Sequence, residues 1–241
     1  MKGRIEEGHF LVARPIAHRG LHGNGVPENS AAAYIKAIEA GYPIEMDVQL
    51  TKDLQVVCFH DDDLKRMTGV DSLIYDKTYA ELKELRLAGT DERIMLFSEF
   101  LELVGGKVPL VIEYKRQRVK KTIVDKTLPL LDAYKGEFVV QSFDPTIVME
   151  FKKKRPEWIR GQLISRDRHE NLSRLTDKLL AKGFFNFLSK PDFINMQIDY
   201  LPCEKRLYKN RKLISWTIKT EEQRERAKEF ADNYIFENIR P

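Results

Sequence analysis

The chain has 241 residues, 42% hydrophobic and 32% charged, with ten prolines, thirteen glycines and two cysteines. This composition argues against a disordered or low-complexity chain, and two cysteines argue against a disulfide framework. A net charge of +4 falls short of a nucleic-acid-binding signature, while the length suits the roughly 250 residues of an eight-stranded α/β barrel.

Short apolar runs alternate with helical patterns along the chain, as in α/β proteins with a parallel sheet. The expected elements begin with a strand at Ile16–His18 and a helix at Ser30–Ala40, with Asn29 as N-cap and Gly41 as stop. Strands follow at Ile44–Leu50 and Val56–His60, joined by a polar turn around Lys52 and Asp53. Residues 61–107 carry helix-like pieces at Tyr79–Leu87 and Ser98–Val104, and the interval is too long for an ordinary crossover, so it reads as an insertion. The alternation resumes with strand Val108–Tyr114, helix Val119–Ala133, strand Phe138–Ser142, helix Thr146–Lys154 and strand Gly161–Ile164. Helix Leu172–Lys182, strand Asp192–Ile194, a short helix near Glu204–Lys209, strand Ile214–Ile218, helix Glu221–Ala231 and strand Tyr234–Phe236 complete it. About eight strands with no repeat and no linker predict one (β/α)8 TIM barrel domain over residues 1–241, with the small insertion after His60 and no second domain. No apolar stretch of signal-peptide length precedes Arg14, and no uncharged run approaches the ~20 residues that span a bilayer. A soluble cytoplasmic protein is therefore expected.

The strands carry charge where they should be apolar. In Ile44–Leu50 one face is apolar and the other holds Glu45, Asp47 and Gln49. Parallel strands are covered on both faces, so two carboxylates on one of them need compensation. An edge strand with a solvated face would explain this segment alone. Other strands repeat the pattern, ending in His18-Arg19, His60-Asp61, Glu113 with Lys115, and Gln141-Ser142. In a barrel the carboxyl ends of the strands converge on the face where sites are built. Glu45, Asp47 and Glu113 would then form an all-oxygen site for a hard divalent cation, Mg²⁺ or Ca²⁺. His18 and His60 would serve as acid and base, and Arg19 and Lys115 would hold an anion such as phosphate. Together they point to phosphoryl chemistry.

At these residues the chain resembles the glycerophosphodiester phosphodiesterase family. Its His-Arg-Gly and Pro-Glu-Asn elements are similar to His18-Arg19-Gly20 and Pro27-Glu28-Asn29, and its Glu-x-Asp-Val to Glu45-Met46-Asp47-Val48. His60-Asp61 with Leu64, Arg66 and Thr68 resembles the segment opening the family's insertion, and Ile112-Glu113-Tyr114-Lys115 its Ile-Glu-x-Lys. Gln141-Ser142-Phe143 and Trp216-Thr217 match later elements. The resemblance implies a distorted TIM barrel, metal ligation by Glu45, Asp47 and Glu113, acid–base work by His18 and His60, and phosphate contact by Arg19 and Lys115. It implies hydrolysis of glycerophosphodiesters to glycerol 3-phosphate and an alcohol, through attack by the substrate's own glycerol hydroxyl and a cyclic phosphate that water opens. Which histidine is the base stays open at this point.

Asn29 reads equally as helix cap or substrate contact, Trp216 as barrel core or as a stacking surface for glycerol, and Gln141 faces the same choice. Cys58 reads as core filler, and the basic runs Lys152–Arg155 and Lys205–Lys212 as exposed faces, with attraction to anionic membrane surfaces as the lesser reading. The sequence departs from the family at Leu54, where a glycine is usual, at Met95-Leu96-Phe97 and near the C-terminus. Alternatives are phospholipase D-like hydrolysis of lysophospholipids and a non-catalytic phosphate- or metal-binding module. Nucleic acid is not expected as a partner, since basic and acidic residues interleave.

Overall fold

The computed structural model describes residues 4–116, 120–165 and 182–241. Its first elements are α1 (Phe10–Ala13), β1 (Ile16–His18), α2 (Ala31–Glu39), β2 (Ile44–Leu50), β3 (Val56–Cys58), α3 (Lys65–Thr68), α4 (Tyr79–Leu82) and α5 (Phe97–Val104). There follow β4 (Leu110–Tyr114), α6 (Lys120–Ala133), β5 (Phe138–Ser142), α7 (Pro145–Lys154) and β6 (Arg160–Ile164). The last are α8 (Asn186–Ser189), β7 (Phe193–Gln197), β8 (Lys212–Ile218), α9 (Glu221–Phe230) and β9 (Asn233–Phe236). The helix expected at Leu172–Lys182 lies outside the described residues but for its last position. Eight parallel strands alternating with helices make the (β/α)8 TIM barrel. The ninth strand, β3, runs antiparallel to β2 and is a side hairpin rather than a barrel strand.

The chain divides into two compact units, residues 17–138 and residues 1–16 with 139–241. In the first, β2 pairs in parallel with β1 on one side and β4 on the other. Every residue of β2 is buried, which overturns the edge-strand reading of Glu45 and Asp47. Asn29 is not the cap of α2. Ser30 is: its hydroxyl accepts from the Ala33 N–H, while Asn29 sits one residue earlier at φ +51°. Gly41 does stop the helix, with φ +67° and its N–H on the Ile38 carbonyl.

The strand expected at Val56–His60 ends at Cys58 because the Gln49 amide captures the carbonyls of Phe59, His60 and Asp61 at 3.2, 3.0 and 2.7 Å. Beyond it, Leu64, Met67, Ile74, Leu82, Leu87 and Ile94 pack on Val57 and Phe59 as a small apolar core of their own. That core fixes the segment carrying His60 to β3.

Gly20 explains itself by space. It has φ +81°, and a Cβ there would lie 2.8 Å from the Ala33 carbonyl carbon and oxygen. Gly20→Ala should lower unfolding stability by about 3 kcal/mol, left-handed strain and overpacking adding together. Denaturant midpoints would check this. Leu54 also lies at positive φ, +59°, where an L side chain is strained.

In the second unit β5 to β9 follow one another in parallel register, broken by an irregularity between Ser215 and Ile218. α7 shows why its residues form a helix. Asp144 caps it, accepting from the Thr146 N–H, Pro145 occupies the first turn, and Lys152, Lys153 and Lys154 complement the dipole at its end. α9 buries only Ala227 and is otherwise a charged surface helix, as expected.

Candidate active site

Strand register brings the acidic residues together. His18 at the end of β1 is paired with Glu45 on β2, and Asp47 is paired with Glu113 on β4. Side chains two residues apart share a strand face, so Glu45 and Asp47 project side by side, and Glu113 lies beside them. Each of the three offers an oxygen within 4.8 Å of the others, and all three side chains are buried.

Cations and amides enclose this cluster. Lys115 Nζ lies 2.5 Å from Glu113 Oε1 and 3.0 Å from Asp47 Oδ1. The Arg19 backbone N–H donates to Glu45 Oε2 at 3.1 Å, while its Nε lies 3.4 Å from Asp47 Oδ2. Arg19 itself is held at φ +52°, an uncommon conformation for a non-glycine residue that aims both its amide and its guanidinium inward. Asn29 Nδ2 donates to Asp47 Oδ2 at 2.9 Å, and its Oδ1 accepts from the Tyr34 hydroxyl. His18 Nε2 stands 4.0 Å from Glu45 Oε2.

His60 is reached through a chain of charges. Its Nδ1 lies 2.6 Å from Asp61 Oδ1, Asp61 Oδ2 accepts from Arg66 Nε at 2.6 Å, and Arg66 grips both oxygens of Glu28 at 3.0 and 2.6 Å. Glu28 Oε1 in turn accepts from Arg19 at 2.6 Å. One bidentate arginine thus ties the loop of Arg19 to the loop of His60. In the sequence Glu28 and Arg66 stand only as motif letters and Gln49 has no role, whereas the acidic run at Asp61 already reads as a group that helps to place His60. Their signal, a charged residue on each of two loops, names no partner until the fold brings residues 28 and 66 together.

The carboxyls titrate apart. Burial pushes Glu45 well above the usual carboxylate range, and the neighbouring Asp47 and Glu113 charges add to it. Burial would raise Asp47 too, but Lys115, His60, Arg19 and the Asn29 hydrogen bond hold it well below that range. Burial works against the charges of Lys115 and Arg19, yet Asp47 leads the acidic neighbours that raise both groups. Cys58 is fully buried and its thiol is pushed up by burial, which suits core filler.

A divalent cation fits this donor set. Glu28, Glu45, Asp47, Asp61 and Glu113 face Arg19, Arg66 and Lys115, five carboxylates against three cations, a deficit of two. Asp47 Oδ1 is buried and, among the described residues, accepts no hydrogen bond of good geometry. Buried like charges at this spacing must protonate or bind a metal, and an all-oxygen set selects a hard ion.

Gln141 and Trp216 belong to the second unit. Gln141 Oε1 accepts from Asn195 Nδ2 at 2.8 Å, while its own Nε2 is buried with no hydrogen-bond partner among the described residues. Trp216 donates to the Asn195 carbonyl at 3.3 Å and meets Phe143 edge-on at 5.5 Å. Among the described residues Gln162 Oε1 and Asn195 Oδ1 are also buried without a hydrogen-bond partner. These three amide atoms lie on adjacent strands β5 to β7 and are left without a hydrogen-bond partner among the described residues.

Known proteins share the sequence and fold of this chain. The glycerophosphoryl diester phosphodiesterase family model matches residues 18–236. A glycerophosphodiester phosphodiesterase of Caldanaerobacter subterraneus subsp. tengcongensis is 34% identical over 228 residues, covering 88% of each chain. A lysophospholipase D of Rattus norvegicus is 34% identical over 140 residues, 53% of this chain and 43% of that protein. The fold matches an Oleispira antarctica phosphodiesterase solved in complex with the product sn-glycerol-3-phosphate, with a TM-score of 0.77, 24% identity and 92% of each chain covered. The chain belongs to the glycerophosphoryl diester phosphodiesterase family, phosphoric diester hydrolases, here on a TIM barrel.

Proposed function

We propose that the protein hydrolyses glycerophosphodiesters to glycerol 3-phosphate and an alcohol, using a divalent cation held by Glu45, Asp47 and Glu113. The observation that carries this reading is the buried triad of carboxylates within 4.8 Å, bordered by Arg19, Lys115 and two histidines. Binding alone has no use for an acid–base pair. Residues 61–107 are read as a small insertion within one barrel domain, and the unpaired Cys58 and Cys203 suit a cytoplasmic setting. Among the described residues no helix is long and apolar enough to cross a membrane.

When bound, Mg²⁺ or Ca²⁺ would supply Lewis-acid polarisation of the phosphoryl oxygens. Arg19 and Lys115 would clamp those oxygens, and Asn29 would act on them by holding Asp47 as well as by direct contact. Gln141 and Trp216 would meet the glycerol moiety. Asp61 favours the His60 tautomer with the proton on Nδ1, which leaves Nε2 as the base. His60 then takes the proton of the glycerol hydroxyl as its oxygen bonds to phosphorus. The bond from phosphorus to the leaving alcohol breaks, and His18 gives that oxygen its proton. Water opens the cyclic phosphate with the roles reversed.

The test is a panel of glycerophosphocholine, glycerophosphoethanolamine, glycerophosphoglycerol and a lysophospholipid, each with Mg²⁺, Ca²⁺ or chelator, read as glycerol 3-phosphate or headgroup released. Turnover of at least one soluble diester, abolished by chelator, is expected. Release of headgroup from the lysophospholipid alone would replace this reading with the lysophospholipase D one. No turnover of any diester would leave the non-catalytic module.

A further inference from the structure

Among the described residues six large hydrophobic side chains are exposed, and four of them gather on one part of the second unit. Phe184 is 55% exposed, Phe187 61%, Leu188 40% and, on α7, Met149 37%. The placement is structural, not frayed. α8 buries Asn186 and Ser189, Asn186 donates to the Leu207 carbonyl, and Lys152 on α7 donates to the Leu188 carbonyl at 2.7 Å. With one face pinned in this way, Phe187 and Leu188 point outward by helical periodicity. Phe184 packs edge-on against Phe185 and Phe187 at 5.6 and 5.9 Å, so the aromatic group is preformed.

The rim is cationic. Residues 150–157, 182–190 and 204–211 hold ten Lys or Arg against three Glu, an excess of seven in a chain whose whole net charge is +4. Helix-dipole complementarity accounts for lysines in the last turn of α7. It does not account for exposed Lys182, Lys190, Lys205 and Lys209, nor for the exposed Phe184 and Phe187 that stand between Lys182 and Lys190 in the chain.

Apolar side chains seated among lysines match the interface of an anionic bilayer, where rings and aliphatic chains enter the acyl boundary and ammonium groups meet lipid phosphates. We propose that this face, Met149, Phe184, Phe187 and Leu188 with its lysine rim, docks the protein reversibly on anionic membrane surfaces. The charge excess selects the occupant. A second copy of the same face would bring two strongly positive rims together, and a nucleic acid would leave the aliphatic Met149 and Leu188 without a stacking partner. The inference stands apart from the hydrolytic reading, because its readout is binding.

The experiment is co-sedimentation of the full chain with vesicles of phosphatidylcholine alone or with 30% phosphatidylglycerol. Binding is expected only to the anionic vesicles, falling about tenfold or more when salt rises from 50 to 500 mM. The double variants F184S/F187S and K153E/K190E should each weaken it roughly tenfold or more, with hydrolysis of a soluble diester and the unfolding midpoint unchanged. Equal binding to neutral vesicles, no binding to either, or binding untouched by both variants would overturn the proposal. So would a dimer in sedimentation equilibrium that F184S/F187S dissociates, or tighter binding to a single-stranded oligonucleotide than to vesicles.

Discussion

Alanine at His60 is expected to lower kcat for glycerophosphodiester hydrolysis by about 10²–10⁴-fold, the usual worth of a positioned general base. The imidazole is partly open, with a side chain 31% exposed, so its loss should leave the unfolding free energy within about 1 kcal/mol of the parent. Activity and stability therefore separate at this position. His18→Ala should show a similar loss on the acid side. Arg66 tests the positioning arm of the same idea. It holds Asp61 and Glu28 without touching the carboxylate triad, and its side chain is 48% exposed. Arg66→Met should therefore cost kcat about tenfold with KM little changed, while Arg66→Lys restores part of it. A His60→Ala enzyme with undiminished kcat would sink the assignment.

Much of this site was legible because strand alternation is a local signal. Glu45, Asp47 and Gln49 fall on one face by the period of two alone, and Glu113 with Lys115 repeats it. Gly41 was likewise readable as a helix stop, since caps act within one turn. What local chemistry could not give were contacts made across the fold. Asn29 looks like a cap because asparagine caps helices, but its amide is engaged by Asp47, eighteen residues away, and Ser30 takes over the capping. Val56–His60 reads as one strand until Gln49 withdraws three carbonyls from the ladder. Phe184, Phe187 and Leu188 fall between the elements expected from the sequence, which says nothing of the way they face. Only the burial of Asn186 and Ser189 sets how α8 faces.

Removing the divalent cation should abolish turnover and also weaken the fold, by an amount that depends on pH. An ion at a hundred times its Kd stabilises the state that binds it by about 2.7 kcal/mol. Without the ion the triad carries its mutual repulsion, and Glu45 is the member that yields, its carboxyl raised by burial and by Asp47 and Glu113. A carboxyl raised in the folded state contributes stability that is present below its unfolded value of about 4.3 and is lost as pH climbs through the folded one. Asp47 goes the other way. Held low by Lys115, His60 and Arg19 against the pull of burial, it contributes stability above about 3.9, lost only as pH falls into acid. From about pH 5 upward Asp47 is therefore constant while Glu45 ionises against its neighbours, so the metal-free protein should lose stability as pH rises. The cation needs all three carboxylates charged, so its stabilisation should grow over the same range. Unfolding midpoints with excess Mg²⁺ or Ca²⁺ and with chelator should lie closer together at pH 5 than at pH 8. Glu45→Gln should flatten the chelated curve, since a neutral amide faces Asp47 and Glu113 at every pH, and should shrink the gap at pH 8. A gap independent of pH, or no effect of either ion on the midpoint, would reject the triad as a metal site while leaving the hydrolytic assay to stand on its own.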